Sequence, residues 1–169
     1  KTIIELSKLL GDTSDPVAIE LSASQARFRF DGVLLASKLV DGKFPDYQRV
    51  IPTAHSKLLR MNRQLLGQAL QRAAILTTDK FKGVRMLLAT GSLKINSTNA
   101  DQEDAQEELE IGYEGDALDI GFNVQYLLDV LNNLAVDEVE ISLGDASSSA
   151  LITVPGRADF RYVVMPMRI

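Results

Sequence analysis

The sequence predicts an α+β fold in which strand-helix-three-strand units repeat and their helices lie on one face of antiparallel sheet. Two observations predict it. Three segments carry apolar residues at helical spacing, and their starts lie roughly 60 residues apart, so the chain repeats at that period. After each of them come three short segments in which apolar and polar residues alternate or β-branched residues cluster, as strands with one buried face require.

The first helix spans about residues 3–10. Ile3, Leu6, Leu9 and Leu10 form its apolar stripe, and Lys1, Glu5 and Lys8 recur on the other side. Strands are expected at 17–21, 25–30 and 34–39. The second helix, about 62–76, turns Leu65, Leu66, Ala69, Leu70 and Ala73 inward and Gln64, Gln68, Gln71 and Arg72 outward. A strand at 57–61 precedes it, and strands at 84–89, 92–97 and 107–113 follow. The third helix, about 123–134, buries Val124, Leu127, Leu128, Leu131 and Leu134 and exposes Gln125, Asp129, Asn132 and Asn133. It is preceded by a strand at 118–122 and followed by strands at 139–143, 150–154 and 160–165. The repeat reaches the residue level, since 17–21 and 139–143 both read V-x-I-x-L.

The stretch 41–52 carries turn formers and two prolines, Pro45 and Pro52, and reads as a linker. It divides the chain into a half domain over residues 1–52, linker included, and a complete domain over 53–169. The first helix has no strand before it, so the chain is expected to begin within a domain, with a sheet edge that another segment covers.

Hydrophobic residues make up 46% of the 169, enough for an ordinary core. The first residues lack the apolar run of a signal peptide, and no stretch is apolar enough to span a membrane. There is no cysteine, which excludes disulfides, thiolate zinc sites and a cysteine nucleophile, and a reducing cytoplasm fits. With 18 basic against 23 acidic residues the net charge is -5, which argues against a large basic surface gripping nucleic acid. Contact with DNA, if made, is local and loose.

Catalytic motifs are scarce. The one histidine, His55, sits in a turn-like stretch without a partner serine or carboxylate at a recognisable spacing, and none of the 11 glycines belongs to a phosphate-binding loop. Metal and cofactor sites are not expected: the acidic run Asp101, Glu103, Asp104, Glu107, Glu108 and Glu110 lacks the spacing of a calcium loop. It is either a solvated edge or a charge-complementary interface. The amide-rich outer stripes of the helices are either solvated faces or ligand-facing ones. The tail, Tyr162-Val163-Val164-Met165-Pro166-Met167-Arg168-Ile169, is unusually apolar for a chain end. It either packs on its own domain or offers partners an adaptable methionine surface.

Several motifs together resemble the bacterial beta sliding clamps, the beta subunits of DNA polymerase III, over the whole chain. They are Ser37 to Tyr47 (SKLVDGKFPDY), Arg72 to Leu76 (RAAIL), Phe81 to Arg85 (FKGVR), Ile111 to Tyr113, Gly121 to Val124 (GFNV), Tyr126 to Asn132 and Tyr162 to Arg168 (YVVMPMR). The resemblance implies the DNA-clamp fold, with residues 1–52 the second half of a middle domain and 53–169 the last domain. It implies a non-catalytic processivity factor in the cytoplasm, a homodimeric ring around duplex DNA held topologically and without sequence preference, and no cofactor. Helices line the hole of such a ring, which makes Lys1, Lys8, Gln68 and Arg72 the DNA-facing candidates. Ring closure falls to Ile75, Leu76, Asp101, Glu103 and Glu107.

The resemblance further implies a hydrophobic groove for clamp-binding peptides of the polymerase III alpha subunit, the clamp-loader delta subunit, other polymerases and repair proteins. Its share of this chain is Pro45, Arg49, Val50, Asn123, Tyr126, Ser147, Ser149, Val163, Val164, Met165, Pro166, Met167, Arg168 and Ile169. The turn around Ser147 departs from the family, where an aliphatic residue is familiar, and this bears on groove depth and peptide preference. The residues alone leave open a β-rich interaction module outside replication, and an enzyme whose active site lies in another part of a longer protein.

Overall fold

A computed structural model describes residues 1–12, 14–42, 46–78 and 82–169. The chain divides into two compact units, Lys1–Pro45 and Asp46–Ile169.

The first unit has one helix, α1 (Thr2–Leu9), and three strands, β1 (Ala18–Leu21), β2 (Gln25–Phe30) and β3 (Val33–Lys38), paired antiparallel in the order β1-β2-β3. Asp31 and Gly32 both have positive φ, 42° and 73°, and close β2 onto β3 in the two-residue turn whose twist suits a hairpin. Thr2 and Ser37 share a hydroxyl hydrogen bond of 2.6 Å, which fixes α1 to β3. Little is buried here. No residue of α1 is, and Ile3 and Leu9 of the expected apolar stripe are exposed, as is Ile4 beside them, while Ala26 and Phe30 are buried.

The second unit opens with a 3-10 turn at Tyr47–Arg49, then β4 (Lys57–Asn62), α2 (Arg63–Ala74), β5 (Gly83–Ala89), β6 (Ser92–Thr98), β7 (Asp104–Glu110), β8 (Leu118–Asn123), α3 (Val124–Asn132), β9 (Glu138–Leu143), β10 (Ala150–Val154) and β11 (Arg157–Val164). Each long helix starts where a strand ends, and an asparagine makes the switch. Asn62 accepts from the Leu65 N–H (3.0 Å) and Asn123 from the Gln125 N–H (2.9 Å), satisfying amides that no helical carbonyl reaches.

The strand that leads each sequence repeat does not join the strands that follow its own helix. β4 pairs with β9 to give the sheet β11-β10-β9-β4, and β8 pairs with β5 to give β7-β6-β5-β8. The two repeats therefore complete each other's sheets. α2 and α3 pack on one another, α2 also on β4, β6 and β7, and α3 on β8 and β11, over a shared core that includes Leu66, Leu70, Val84, Ile95, Phe122, Leu131 and Ile141.

Three expectations shift. Leu65, placed on the inward stripe, is 57% exposed, because the buried face of α2 centres on Leu66, Ala69, Leu70 and Ala73 and residue 65 falls at its margin. The third strand of the second repeat lies at 104–110 rather than 107–113, because Ile111 and Tyr113 leave β7 and bond to Gly91 in the β5–β6 turn. The last strand begins at Arg157, ahead of 160.

Candidate functional site

The tail leaves β11 at Val164. Strand alternation sends Val164 into the core, 2% exposed beside its partner Ala150, and leaves Val163 half-buried and Met165 63% exposed. The Ser149 hydroxyl donates to the Met165 sulfur at 3.0 Å. Two residues on, the Met167 N–H donates to the Gly121 carbonyl at 2.8 Å, a backbone link from the tail to β8. Ile169 then lies over Gly83 and Gly121. Pro166 and Met167 are half-buried and Arg168 is exposed. A cavity of about 410 Å³ runs along this segment between Met167, Arg168 and Ile169 on one side and Arg85, Asp119 and Gly121 on the other. Its floor carries a two-pronged ion pair, Arg85 Nε to Asp119 Oδ1 at 2.7 Å and Nη2 to Oδ2 at 2.5 Å. The guanidinium holds the Asp119 carboxyl below the usual carboxylate range.

A second cavity, about 490 Å³, adjoins Arg49, Val50, His55, Asp145, Ser147 and Ser149. Its serine loop is built locally. Asp145 accepts from the Ser147 N–H (2.8 Å), the Ser147 hydroxyl (2.7 Å) and the Ser148 hydroxyl (3.0 Å). Those bonds, Ser147's first, stabilise the charged carboxylate and lower its pKa to about 2. His55 donates from Nδ1 to the Ser142 carbonyl at 2.9 Å, a strut that holds residues 52–55 against β9. The Asp46 carboxylate accepts from the Gln48 N–H and lies 3.5 Å from Arg49, fixing the turn that presents Arg49 and Val50.

Of the expected groove residues, Arg49, Val50, Ser147 and Ser149 thus border one cavity, Ser149 links it to Met165, and Met167, Arg168 and Ile169 border the other. Asn123 is spent on capping α3, and Tyr126, at the start of that helix, is exposed. Val164 offers no surface, and Pro45 lies outside the described residues. Gly83, Gly121, Asp145 and the Arg85–Asp119 pair were not anticipated. A glycine inside a strand is a sequence sign of close backbone approach, and Asp followed two and three residues later by serine is the sign of a self-bonded loop.

The other candidates form two groups. In the first unit, Lys1 is exposed and Lys8 pairs with Glu5 at 3.0 Å. In the second, Gln68 lines a shallow cavity of about 300 Å³ between α2 and α3, with Arg63, Gln64, Gln71 and Asn132. Arg72 is held by both oxygens of Glu107 at 2.8 and 2.7 Å, which keeps that carboxyl below its ordinary range. A residue expected to face DNA and one expected to close the ring are therefore bonded together. Ile75 is 78% exposed, Leu76 half-buried, and Asp101 and Glu103 are exposed in a turn where Asn99 accepts from both their amides. This turn leads into β7, an edge strand.

Among the described residues no group of three or more histidines or carboxylates is placed to hold a metal ion, and no helix is long and apolar enough to cross a membrane.

Comparison with known proteins is specific. Residues 48–168 match the family model for the C-terminal domain of the DNA polymerase III beta subunit, and residues 1–46 match that for its central domain. The whole chain aligns with the beta sliding clamps of Pseudomonas putida (48% identity), Vibrio cholerae (45%) and Escherichia coli (43%), covering 46% of each. Among solved structures, the DNA polymerase III subunit beta of Pseudomonas aeruginosa matches with a TM-score of 0.86 at 45% identity, over 99% of this chain and 46% of that one. A sliding clamp from Bartonella birtlesii bound to griselimycin matches with a TM-score of 0.86 at 41% identity, over 99% and 45%. The chain thus spans about half the length of the relatives it matches.

Proposed function

The chain belongs to the DNA polymerase III beta-subunit family, and from that membership we propose that the protein carrying it is a sliding clamp. It acts without catalysis in the cytoplasm, as a homodimeric ring that encircles duplex DNA and tethers the polymerase III alpha subunit, the clamp-loader delta subunit, other polymerases and repair proteins. Residues 1–52 are the second half of the middle domain with its linker, and 53–169 the last domain.

The observation that carries the reading is the continuity of the surface from Arg49 and Val50 through Ser147 and Ser149 to Met165. An exposed methionine beside a half-buried valine and proline is an adaptable apolar wall for a leucine or phenylalanine anchor. Arg49 and Arg168, both exposed, stand where acidic or carbonyl groups of a peptide need a donor. The self-bonded loop below Asp145 presents Ser149 without having to be ordered on binding, which spares affinity. Val164 serves the groove from behind, by holding the strand, and Ile169, 56% exposed, holds the tail end while keeping an open face.

Lys1, Lys8, Gln68 and Arg72 face the DNA, and Ile75, Leu76, Asp101, Glu103 and Glu107 close the ring. The exposure of Ile75, an apolar side chain at a helix end, supports the second assignment.

Titrating the full-length protein with a fluorescent Q-x-x-[LM]-x-[LF] peptide tests the groove. Binding is expected and is lost on deleting Met165 to Ile169; binding that survives the deletion sinks the assignment. A full-length protein that does not lengthen polymerase products would point instead to an interaction module outside replication.

A further inference from the structure

The tail ends on two glycines, and both contacts depend on a missing side chain. β5 and β8 pair with Gly83 opposite Asn123 and Gly121 opposite Arg85, so both glycines lie on the sheet face away from Val84 and Phe122 of the core. A Cβ built on Gly121 would run into the Met167 carbonyl oxygen and come within 2.7 Å of Ile169 Cδ1. A Cβ on Gly83 would sit 3.0 and 3.2 Å from Ile169 Cδ1 and Cγ1. The Met167 N–H meanwhile bonds to the Gly121 carbonyl. Neither glycine has positive φ, so alanine is free of backbone strain at both, and the only thing added is the methyl.

We infer that Gly83 and Gly121 are positioning residues for the peptide groove: together they form the seat that holds the last three residues and so sets where Met165, Pro166 and Met167 stand. The inference rests on the groove reading above. Ile169, 56% exposed, is on this account the anchor of the tail through the part of its side chain that rests on the two glycines. The two glycines differ in what they meet. Gly121 faces backbone, which moves only if the tail lifts off β8; Gly83 faces the end of a side chain, which can be trimmed.

That difference supplies the test, made in the full-length protein. Gly121→Ala is expected to weaken binding of the fluorescent clamp-binding peptide by about tenfold or more, as loss of a central contact does, while the protein stays folded. Gly83→Ala is expected to weaken it less, and the loss is expected to disappear in an Ile169→Ala background, because the added methyl then occupies the space the isoleucine vacates. A general weakening of the strand would not be cured by trimming a residue in the tail. Hydrogen exchange of the Met167 amide reads the seat without any peptide, and its protection is expected to fall in Gly121→Ala. Wild-type binding left intact in both glycine variants, or an equal Gly83→Ala loss in both Ile169 backgrounds, overturns the inference. Absence of wild-type binding defeats the groove reading, and the exchange measurement then decides the seat alone. Should Gly121→Ala not fold, the Gly83–Ile169 cycle still decides.

Discussion

Asp145 holds together the loop that borders the proposed groove, through hydrogen bonds that also set how it titrates. Its carboxylate accepts three hydrogen bonds from Ser147 and Ser148, and its pKa lies near 2 where an aspartate in an unfolded chain titrates near about 3.9. A depressed acid stabilises the folded form above its unfolded pKa, and that contribution fades as pH falls from about 4 through 2. The loop should therefore keep its shape at every pH a cell meets. In an NMR titration the Ser147 and Ser148 amides should move with a midpoint near 2 and be flat above about 4; a midpoint near 4 would mean that the bonds are not made in solution. Asp-x-Ser-Ser is readable as a self-bonded loop from the sequence. That the loop would leave Ser149 free to reach Met165 is not, because the partner sits 16 residues away on another strand.

At the scale of elements, α2 and α3 were legible because burial repeats at 3.6 residues, and both asparagines stood at the predicted helix starts; α1 was legible from the same apolar spacing although none of its residues is buried. Asn62 caps α2 far from the proposed groove, so it isolates the cap from any effect on peptides. Asn62→Ala should cost about 1 kcal/mol, lowering the melting temperature by about 2–4 °C for a chain of this size. Asn62→Gly should recover most of it, since glycine lets solvent reach the orphaned Leu65 amide; equal losses for the two would mean that solvent does not take the place of the Asn62 side chain at that amide. The interlocking of the sheets was not legible. Alternation along β4 and β8 says which face is buried, and it says nothing about which strand lies alongside. Only contact between the two repeats, α2 on α3 with β4 beside β9, settles that choice.

Across the whole molecule the charge balance matters more than any single cation. The net charge is -5, and of the four candidates for facing DNA, Lys8 and Arg72 already have carboxylate partners. A ring that is threaded on DNA needs no strong grip to stay there, and each phosphate it grips is a contact to break when it slides. Binding to phosphate releases counterions, so the slope of log affinity against log salt counts the contacts, at about 0.9 per phosphate. Arg72 is the informative case because Glu107 holds it at 2.8 and 2.7 Å with full charge. Glu107→Gln keeps the size of that side chain and removes its charge, leaving Arg72 with a neutral partner and a phosphate to compete for it. On a short linear duplex, from which a ring slips off, the full-length variant should bind more tightly at low salt, with a slope steeper by about 0.9. Fluorescence anisotropy between about 50 and 200 mM salt measures both. An unchanged slope would place Arg72 away from the DNA and leave its bond to Glu107 a purely structural one.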